Sequence, residues 1–303
     1  MLKNKFIFLI SVIVFLFSFN FSRAYEVNTH EALTRKIIEI YNKYNEPKIT
    51  KEQLYWMAQG SVKEDTVPRW INHFYDPIYK AGWSGEKQGD VPQDTVKKLS
   101  KIFISTSDAV SSLNWLHNEN FQDKYSLYEG NQTYSRALSA YAYSISLQSG
   151  FISEAYNYAS FENAFKALGH TLHLLEDLGV PAHTRNDTHA DVIGTNDNGE
   201  PYEKWASENA GFDNLNSVSG SFNCLTINEC FVSLAKYTNE NFYSKDTIDD
   251  PKYNFLKSPK IISLNSGDDL FYRKDNFGNE YSFKIHIKKD NKDVIEDNLI
   301  HQS

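Results

Sequence analysis

A short run from His173 to His183, with the sequence HLLEDLGVPAH, constrains this chain more than any other feature. If the run begins on an α-helix, His173 and Asp177 are four residues apart and lie on the same face, within reach of a single cation. Gly179 then predicts the end of the helix. Pro181 predicts that the helix does not resume, so His183 is turned back beside the helix end.

The metal-competent side chains of this run, those of His173, Asp177 and His183, are of the kinds that bind zinc. Neutral imidazole nitrogen and carboxylate oxygen are common ligands in catalytic zinc sites, which keep an open coordination position for water. A single histidine on a helix is more often a buried core residue than a metal ligand. Several metal-competent side chains at this spacing favour the zinc site instead.

The first 24 residues have the pattern of a secretory signal peptide. A basic start with Lys3 and Lys5 precedes an apolar stretch from Phe6 to about Phe21, and a plausible cleavage site follows Ala24. The competing interpretation is an uncleaved membrane anchor, but the apolar stretch is shorter than the roughly 20 residues of a spanning helix. We therefore predict a secreted or periplasmic protein.

Cleavage after Ala24 would give Tyr25 a free α-amine, a short distance along the chain from His30. The pKa of such an amine is about 8. A zinc ion can bind the amine in its neutral form, and the adjacent carbonyl oxygen can complete a chelate. Removal of the signal peptide would then create a metal ligand.

These residues, together with GSVKED ending at Asp65 and HFYDP beginning at His73, resemble the ligand pattern of the bacterial zinc-dependent phospholipases C and of their relatives, the fungal single-strand-specific nucleases. The resemblance extends in order over about residues 25–210, and the pattern HxxxDxxxPxH is its most specific part. It implies a mainly α-helical fold, a single multi-helix domain with a trinuclear zinc site.

The resemblance also implies which groups bind the zinc ions. The implied ligands are the amine and carbonyl of Tyr25 and the side chains of His30, Asp65, His73, His173, Asp177, His183 and Glu203. Asp177 corresponds to the carboxylate that bridges two zinc ions in the family. The family usually has tryptophan where this chain has Tyr25, which is tolerable because the ligand atoms belong to the backbone. Asn186 also fits the family signature, in a supporting position beside the ligands.

Gly199 is a departure from the family pattern, because a histidine ligand of the third zinc ion is usual there. Glycine has no side chain that can bind a metal. His189 lies in the same predicted loop and is the substitute that we predict, with an ordinary exposed loop histidine as the alternative. Glu203 would supply the acidic ligand of the same ion.

The implied chemistry is hydrolysis of a phosphodiester by water activated at zinc ions that Asp177 bridges. Asp65 has two possible roles, as zinc ligand and as general base for the attacking water. Trp70 matches a position that is aromatic in phospholipases, where it could stack on a cationic head group, although an aromatic residue at such a position is more often part of the core. His170, one turn before His173, is predicted to hydrogen-bond a ligand, with a place near the metals as the alternative.

The formal net charge of −8 disfavours a broad nucleic-acid-binding face and a stable nucleic-acid partner. The predicted function is a secreted phospholipase C that contacts membranes peripherally and cleaves phospholipids, or other phosphodiesters, to diacylglycerol and a phosphorylated head group. A single-strand nuclease or nucleotidase stays open as an alternative, because zinc ions can attract a phosphate by themselves. A binding module with a degraded metal site is the third hypothesis, suggested by Gly199.

Hydrophobic periodicity divides the mature chain into a helical domain over residues 25–245 and an extension over residues 246–303. Helices are predicted over about residues 29–44, 51–63, 92–118, 132–149, 152–178 and 228–243. Asn28 and Glu31 predict a capping box for the first helix. In the extension, strand-like segments beginning at Leu270 and at Tyr281 flank a turn and predict a short β-hairpin, followed by a polar tail.

Cys224 and Cys230 are the two cysteines of the chain. In an oxidising compartment their closeness predicts a local disulfide. Free thiols and a thiolate metal site are the alternatives, and two cysteines at this spacing are weak evidence for the latter.

Overall fold

The computed structural model describes most of the helical part of the chain and several strands near its C-terminal end. The described residues are 27–66, 69–83, 110–125, 129–148, 154–187, 203, 206–207, 224–242, 244, 260–265, 268–274, 280–287, 293–294 and 301–302. The predicted signal peptide, Tyr25, His189 and Gly199 lie outside them. None of the helices in these ranges is long and apolar enough to cross a bilayer.

The described structure is mainly α-helical, as the sequence predicts. The helices are α1 (Val27–Tyr44), α2 (Lys51–Glu64), α3 (Ser112–His117), α4 (Glu119–Tyr125), α5 (Tyr134–Gln148), α6 (Glu154–Asp177), α7 (Pro181–Thr184) and α8 (Ile227–Asn241), with a 3-10 helix at Arg69–Asn72. Local capping explains two of the starts. Thr50 with Gln53 forms a capping box for α2, and Thr226 with Glu229 forms one for α8.

Helices α2 and α6 cross in close contact because each has a glycine at the crossing. A Cβ atom on Gly169 would lie 2.0 Å from the carbonyl oxygen of Met57, and one on Gly60 would lie 2.0 Å from the carbonyl oxygen of Lys166. Only a residue without a side chain lets the two backbones approach this closely. The crossing brings Ser61, next to Gly60, against the C-terminal half of α6.

Hydrophobic clusters hold helix α6 in place on more than one side. One cluster packs Leu174 and Leu178 against other buried side chains, namely Tyr75, Trp115, Leu116, Phe231 and Ala235. A second cluster packs Phe165 of α6 against Ile38, Trp56 and Met57. Full burial of one large apolar side chain contributes about 1.5 to 3 kcal/mol. The end of α6, where the metal-competent residues lie, is therefore a rigid platform.

The structure corrects the predicted starts of two helices. Asn28 does not cap the first helix, because the helical backbone already includes Val27 and a cap residue needs a non-helical backbone. The prediction of one helix over residues 92–118 is also wrong in its described portion. Ser111 has an extended backbone and caps α3, and its side chain accepts a hydrogen bond from the Asn114 amide. Asn118 then ends α3.

Pro181 is a further correction, because it begins the short helix α7 and does not prevent helical structure. Val180 before it is extended, and a proline fits the first position of a helix, where its missing N–H has no intrahelical partner to lose. The amide of Val180 donates to the carbonyl oxygen of Asp177 at 2.9 Å. His183 on α7 is therefore turned back beside the end of α6.

The described strands of the C-terminal part form an antiparallel sheet. Its strands are β1 (Lys260–Asn265), β2 (Asp268–Lys274), β3 (Glu280–Ile287), β4 (Asp293–Val294) and β5 (His301–Gln302). Their order is β1-β2-β3-β4, and β5 also pairs with β3. The register of β2 and β3 pairs Lys274 with Glu280.

The predicted disulfide between Cys224 and Cys230 is present, and the Cα atoms of the two residues lie 5.1 Å apart. It joins Cys224, two residues before the cap Thr226, to the first turn of α8.

Candidate metal centre

The metal-competent side chains come from the ends of several helices. Asp65 is the residue that ends α2, and Asp177 is the last residue of α6. His73 follows the 3-10 helix, His183 lies on α7, and His30 lies in the first turns of α1. The C-terminal end of a helix has a partial negative charge, which adds to that of a carboxylate placed there. Two such ends meeting at one point favour a cation.

Four of these side chains form what we call the His73 cluster: Asp65, His73, His173 and Asp177. The distances from His173 Nε2 are 3.4 Å to His73 Nδ1, 3.5 Å to Asp65 Oδ1 and 3.3 Å to Asp177 Oδ2. His73 Nδ1 lies 2.8 Å from Asp177 Oδ2 and 3.8 Å from Asp65 Oδ1.

The ligand atoms of Asp65, His73 and His173 lie within 4.8 Å of one another, so this part of the His73 cluster is able to hold one metal ion. Zinc bonds of about 2.0 to 2.2 Å place tetrahedral ligand atoms roughly 3.3 to 3.6 Å apart, and the measured distances scatter around this range. The side chains of Asp65, His73, His173 and Asp177 are at most 1 % exposed. Two imidazoles and two carboxylates buried together are a ligand set that such an ion would neutralise.

A second group shares two members with the first, and we call it the His30 cluster: His30, His173 and Asp177. Its ligand atoms lie within 4.8 Å of one another. His30 Nε2 is 3.4 Å from Asp177 Oδ1, whereas the other oxygen of Asp177 faces His73. The two oxygens of Asp177 are therefore directed at two clusters. Tyr25, the remaining predicted ligand here, lies outside the described residues.

His183 and Glu203 come together beside His73. The distance between His183 Nε2 and Glu203 Oε1 is 3.5 Å, and both residues are buried. Phe74 stacks on the ring of His183, with the ring centroids 4.6 Å apart. Asn186, three residues after His183, is buried and has a left-handed backbone conformation with φ of 52°. The third predicted ligand of this site, His189, lies outside the described residues.

Two of the histidines are oriented by hydrogen bonds on the side away from the clusters. His173 Nδ1 donates to the carbonyl oxygen of Ser61 at 2.7 Å, and His30 Nδ1 donates to Glu176 Oε2 at 2.7 Å. A proton on Nδ1 leaves Nε2 of each ring with a lone pair, directed at the cluster. Such partners fix the tautomer of metal-binding histidines and raise their basicity.

Glu64, Arg69 and Glu176 form buried hydrogen bonds in or beside the metal centre, and none of them was predicted from the sequence. Glu64 Oε2 accepts hydrogen bonds from Arg69 Nε at 2.7 Å and from His170 Nδ1, and its Oε1 accepts one from Trp115 Nε1 at 2.7 Å. Its Oε1 also lies 3.7 Å from His73 Nε2. His170, predicted to contact a ligand, thus contacts Glu64 instead. The sequence contains one signal for the two glutamates: each of the candidate aspartate ligands at a helix end, Asp65 and Asp177, directly follows a glutamate.

Trp70 lies beside an aromatic group that extends to the metal-competent residues. It is half-buried, and its ring is 5.9 Å from that of Trp83. Trp83 in turn packs on Phe74 at 5.8 Å, and Phe74 stacks on His183. The predicted contact of Trp70 with a substrate stays a prediction.

The buried charges shift the pKa values of the central residues in opposite directions. Burial would lower the pKa of His30, but hydrogen bonds to Asp177 and its neighbouring carboxylate raise it well above the usual value. Burial would also lower the pKa of His73, but the negative charge of the Asp177 carboxylate outweighs burial and raises this pKa to about 10. Burial and the charge of His30 lower the pKa of His173 to about 3. Burial would raise the pKa of Asp177, but the surrounding histidines hold it well below its usual value.

Each of the His30 and His73 clusters is able to hold a metal ion by its donor types, burial and spacing, and the Nε2 atom of His173 can bind only one of the two ions. Without a metal, protonated histidines compensate the carboxylates, and a metal ion would displace those protons. Comparison of the chain with models of protein families, with curated proteins and with solved structures finds no match. The geometry of the centre therefore carries the functional argument.

Proposed function

We propose that this protein is a secreted zinc-dependent phosphodiester hydrolase that cleaves phospholipids in the manner of a phospholipase C. The observation that supports the proposal is the sharing of Asp177: one oxygen faces His30 at 3.4 Å and the other faces His73 at 2.8 Å. A carboxylate in this position suits two adjacent metal ions. The resemblance of the ligand order to that of the bacterial zinc-dependent phospholipases C supports the same reading.

Zinc is the metal that we propose, because buried histidines mixed with aspartates are its usual ligands in hydrolases. When bound, a pair of zinc ions lowers the pKa of a water molecule and neutralises negative charge on phosphate oxygens. Asp65 and Asp177 would offset the positive charge of these ions. Asp65 is also proposed to accept the proton of the attacking water, as a general base.

The residues around the two clusters would fix the orientation of the metal ligands and the position of the substrate. Ser61 and Glu176 hold His173 and His30 by hydrogen bonds of 2.7 Å each. The pair His183 and Glu203 would hold a further zinc ion, which would neutralise the negative charge that develops on the leaving group. Trp70, half-buried at the end of the aromatic group, is proposed to contact the head group of the lipid.

A lipid is preferred over a nucleic acid as the substrate because of charge. The chain has a formal net charge of −8, and a polyanion would be repelled by it except at the metal centre. A phospholipid presents a single phosphodiester, so local attraction by bound metal ions is sufficient.

The first test combines metal content with two substrates. The secreted protein, with its amino terminus sequenced, is assayed for zinc and for hydrolysis of phosphatidylcholine vesicles and of a single-stranded DNA oligonucleotide. About three zinc ions and lipid hydrolysis are expected. About two ions would show that Gly199 removes the third site, and hydrolysis of DNA alone would identify a nuclease. No zinc and no hydrolysis would favour a binding module.

A substitution of Asp177 tests whether hydrolysis depends on the metal centre. Asp177→Asn removes the shared negative charge and is expected to abolish hydrolysis. Asp123→Asn, at an exposed position of α4, is the matched control and should leave activity unchanged. Unchanged turnover in Asp177→Asn would remove the shared-carboxylate mechanism.

A further inference from the structure

Glu176 is next to Asp177 in the sequence, but its carboxylate faces helix α1. Its Oε2 accepts a hydrogen bond from His30 Nδ1 at 2.7 Å, and its Oε1 accepts one from Thr34 Oγ1 at 2.9 Å. Ser61 Oγ on α2 donates to Oε2 at 3.4 Å. The side chain is 4 % exposed. One buried carboxylate therefore joins α1, α2 and α6.

The contact with His30 has a consequence for metal binding. Because Nδ1 donates its proton to Glu176, the metal-facing atom of the ring is Nε2, which lies 3.4 Å from Asp177 Oδ1. An anionic acceptor on the far side of an imidazole makes the ring a stronger ligand and limits its rotation. His173, by contrast, has a neutral acceptor, the carbonyl oxygen of Ser61.

Glu176 is placed to support a ligand and not to be one. Its oxygens accept hydrogen bonds from His30 and Thr34, and Glu176 belongs to neither group of described residues whose ligand atoms converge within 4.8 Å. Thr34 is one turn after His30 on α1, so both contacts fix the same face of this helix.

We propose that Glu176 is a positioning residue that fixes His30 as a metal ligand, so that the metal ion of the His30 cluster depends on Glu176 while that of the His73 cluster does not. This inference rests on the proposed metal centre and adds an outer residue to it. The ion of the His73 cluster would be held by ligands whose orientation comes from α2 and the 3-10 helix. The ion of the His30 cluster would be held only when Glu176 orients His30 on α1.

The test measures zinc affinity by competition with a chromophoric chelator, on the full secreted protein. Glu176→Ala is expected to weaken the binding of one zinc ion by roughly 10- to 100-fold, in the range found when an outer hydrogen-bond partner of a metal ligand is removed, and to leave the affinity for the other ions unchanged. Glu176→Gln keeps an oxygen acceptor without the charge. It is expected to weaken the same ion by about tenfold.

Thr34→Val is the matched control, because it removes the second hydrogen bond to the same carboxylate and leaves the bond to His30 in place. A purely structural role for Glu176 would make Thr34→Val and Glu176→Gln lose thermal stability and all zinc ions in parallel. The proposal requires that Thr34→Val retains native affinity for every ion. Native affinity in both Glu176 variants would overturn it, as would equal weakening of all ions.

His30→Ala distinguishes failure of this inference from failure of the proposed function. If His30→Ala loses one zinc ion and the Glu176 variants lose none, the metal centre stands and the positioning role of Glu176 is refuted. If His30→Ala retains every ion, His30 is not a ligand and the proposed centre itself is wrong. Because Gln has nearly the shape of Glu, Glu176→Gln supplies the result even if Glu176→Ala does not fold.

Discussion

Gly169→Ala tests whether the glycine crossing of α2 and α6 sets the geometry of the metal centre. The added Cβ would lie 2.0 Å from the carbonyl oxygen of Met57 and 2.9 Å from the amide nitrogen of Ser61. Both neighbours are backbone atoms that cannot rotate away, so the helices must separate by about 1.4 Å to bring the 2.0 Å approach to an ordinary contact of 3.4 Å. The hydrogen bond from His173 Nδ1 to Ser61 O, now 2.7 Å, would then exceed hydrogen-bonding distance.

The magnitude follows from two opposing terms. Overpacking costs up to about 3 kcal/mol, and replacing glycine by alanine inside a helix returns about 1 kcal/mol. A net loss of about 2 kcal/mol lowers the melting temperature of a domain of this size by about 4 to 8 °C. Loss of the partner of His173 should in addition weaken zinc binding by roughly 10- to 100-fold.

The assay is thermal unfolding of the metal-free protein by circular dichroism, with zinc affinity from chelator competition. Asn163→Ala, at an exposed position of the same helix, is the control for helix propensity. Gly60→Ala should reproduce the effect from the other side of the crossing, where its Cβ would meet Lys166 O at 2.0 Å. If Gly169→Ala matched Asn163→Ala in both melting temperature and zinc affinity, the reasoning from the crossing would be refuted.

Three further predictions concern charge, protons and the disulfide. Arg69→Met should destabilise the protein by about 3 to 5 kcal/mol in urea unfolding, because it leaves the Glu64 carboxylate buried without its cation. The double variant with Glu64→Gln should recover much of this loss of stability. An equal loss in the double variant would contradict the pairing of Arg69 with Glu64. Zinc binding at pH 7 should release protons, because the pKa of His73 is raised to about 10 in the metal-free protein. Affinity should accordingly fall as the pH is lowered, and a calorimetric enthalpy that is the same in two buffers of different ionisation enthalpy would disprove this. Replacement of Cys224 and Cys230 by serine should cost about 2 kcal/mol, the loop-closure value for a short ring, and reductant should then have no further effect on unfolding.

Local rules were sufficient for the features that depend on short stretches of chain. The spacing of His173 and Asp177 on one helix, with His183 in the turn that follows, is set by helical periodicity and by a glycine near the helix end. The disulfide between Cys224 and Cys230 is equally local. The error at Pro181 arose because proline is unfavourable within a helix but fits its first position, and sequence alone did not separate the two cases.

Tertiary structure decided the contacts between residues far apart in the sequence. The sequence by itself determined most of the long helices and which side chains are able to bind a metal, because periodicity, capping and side-chain chemistry are properties of neighbouring residues. It did not determine that Glu176 reaches back to His30, 146 positions away, or that Glu64 accepts hydrogen bonds from His170, 106 positions away. Those partners are chosen by the crossing of α2 and α6 at Gly60 and Gly169, since the backbone separation there sets which side chains meet.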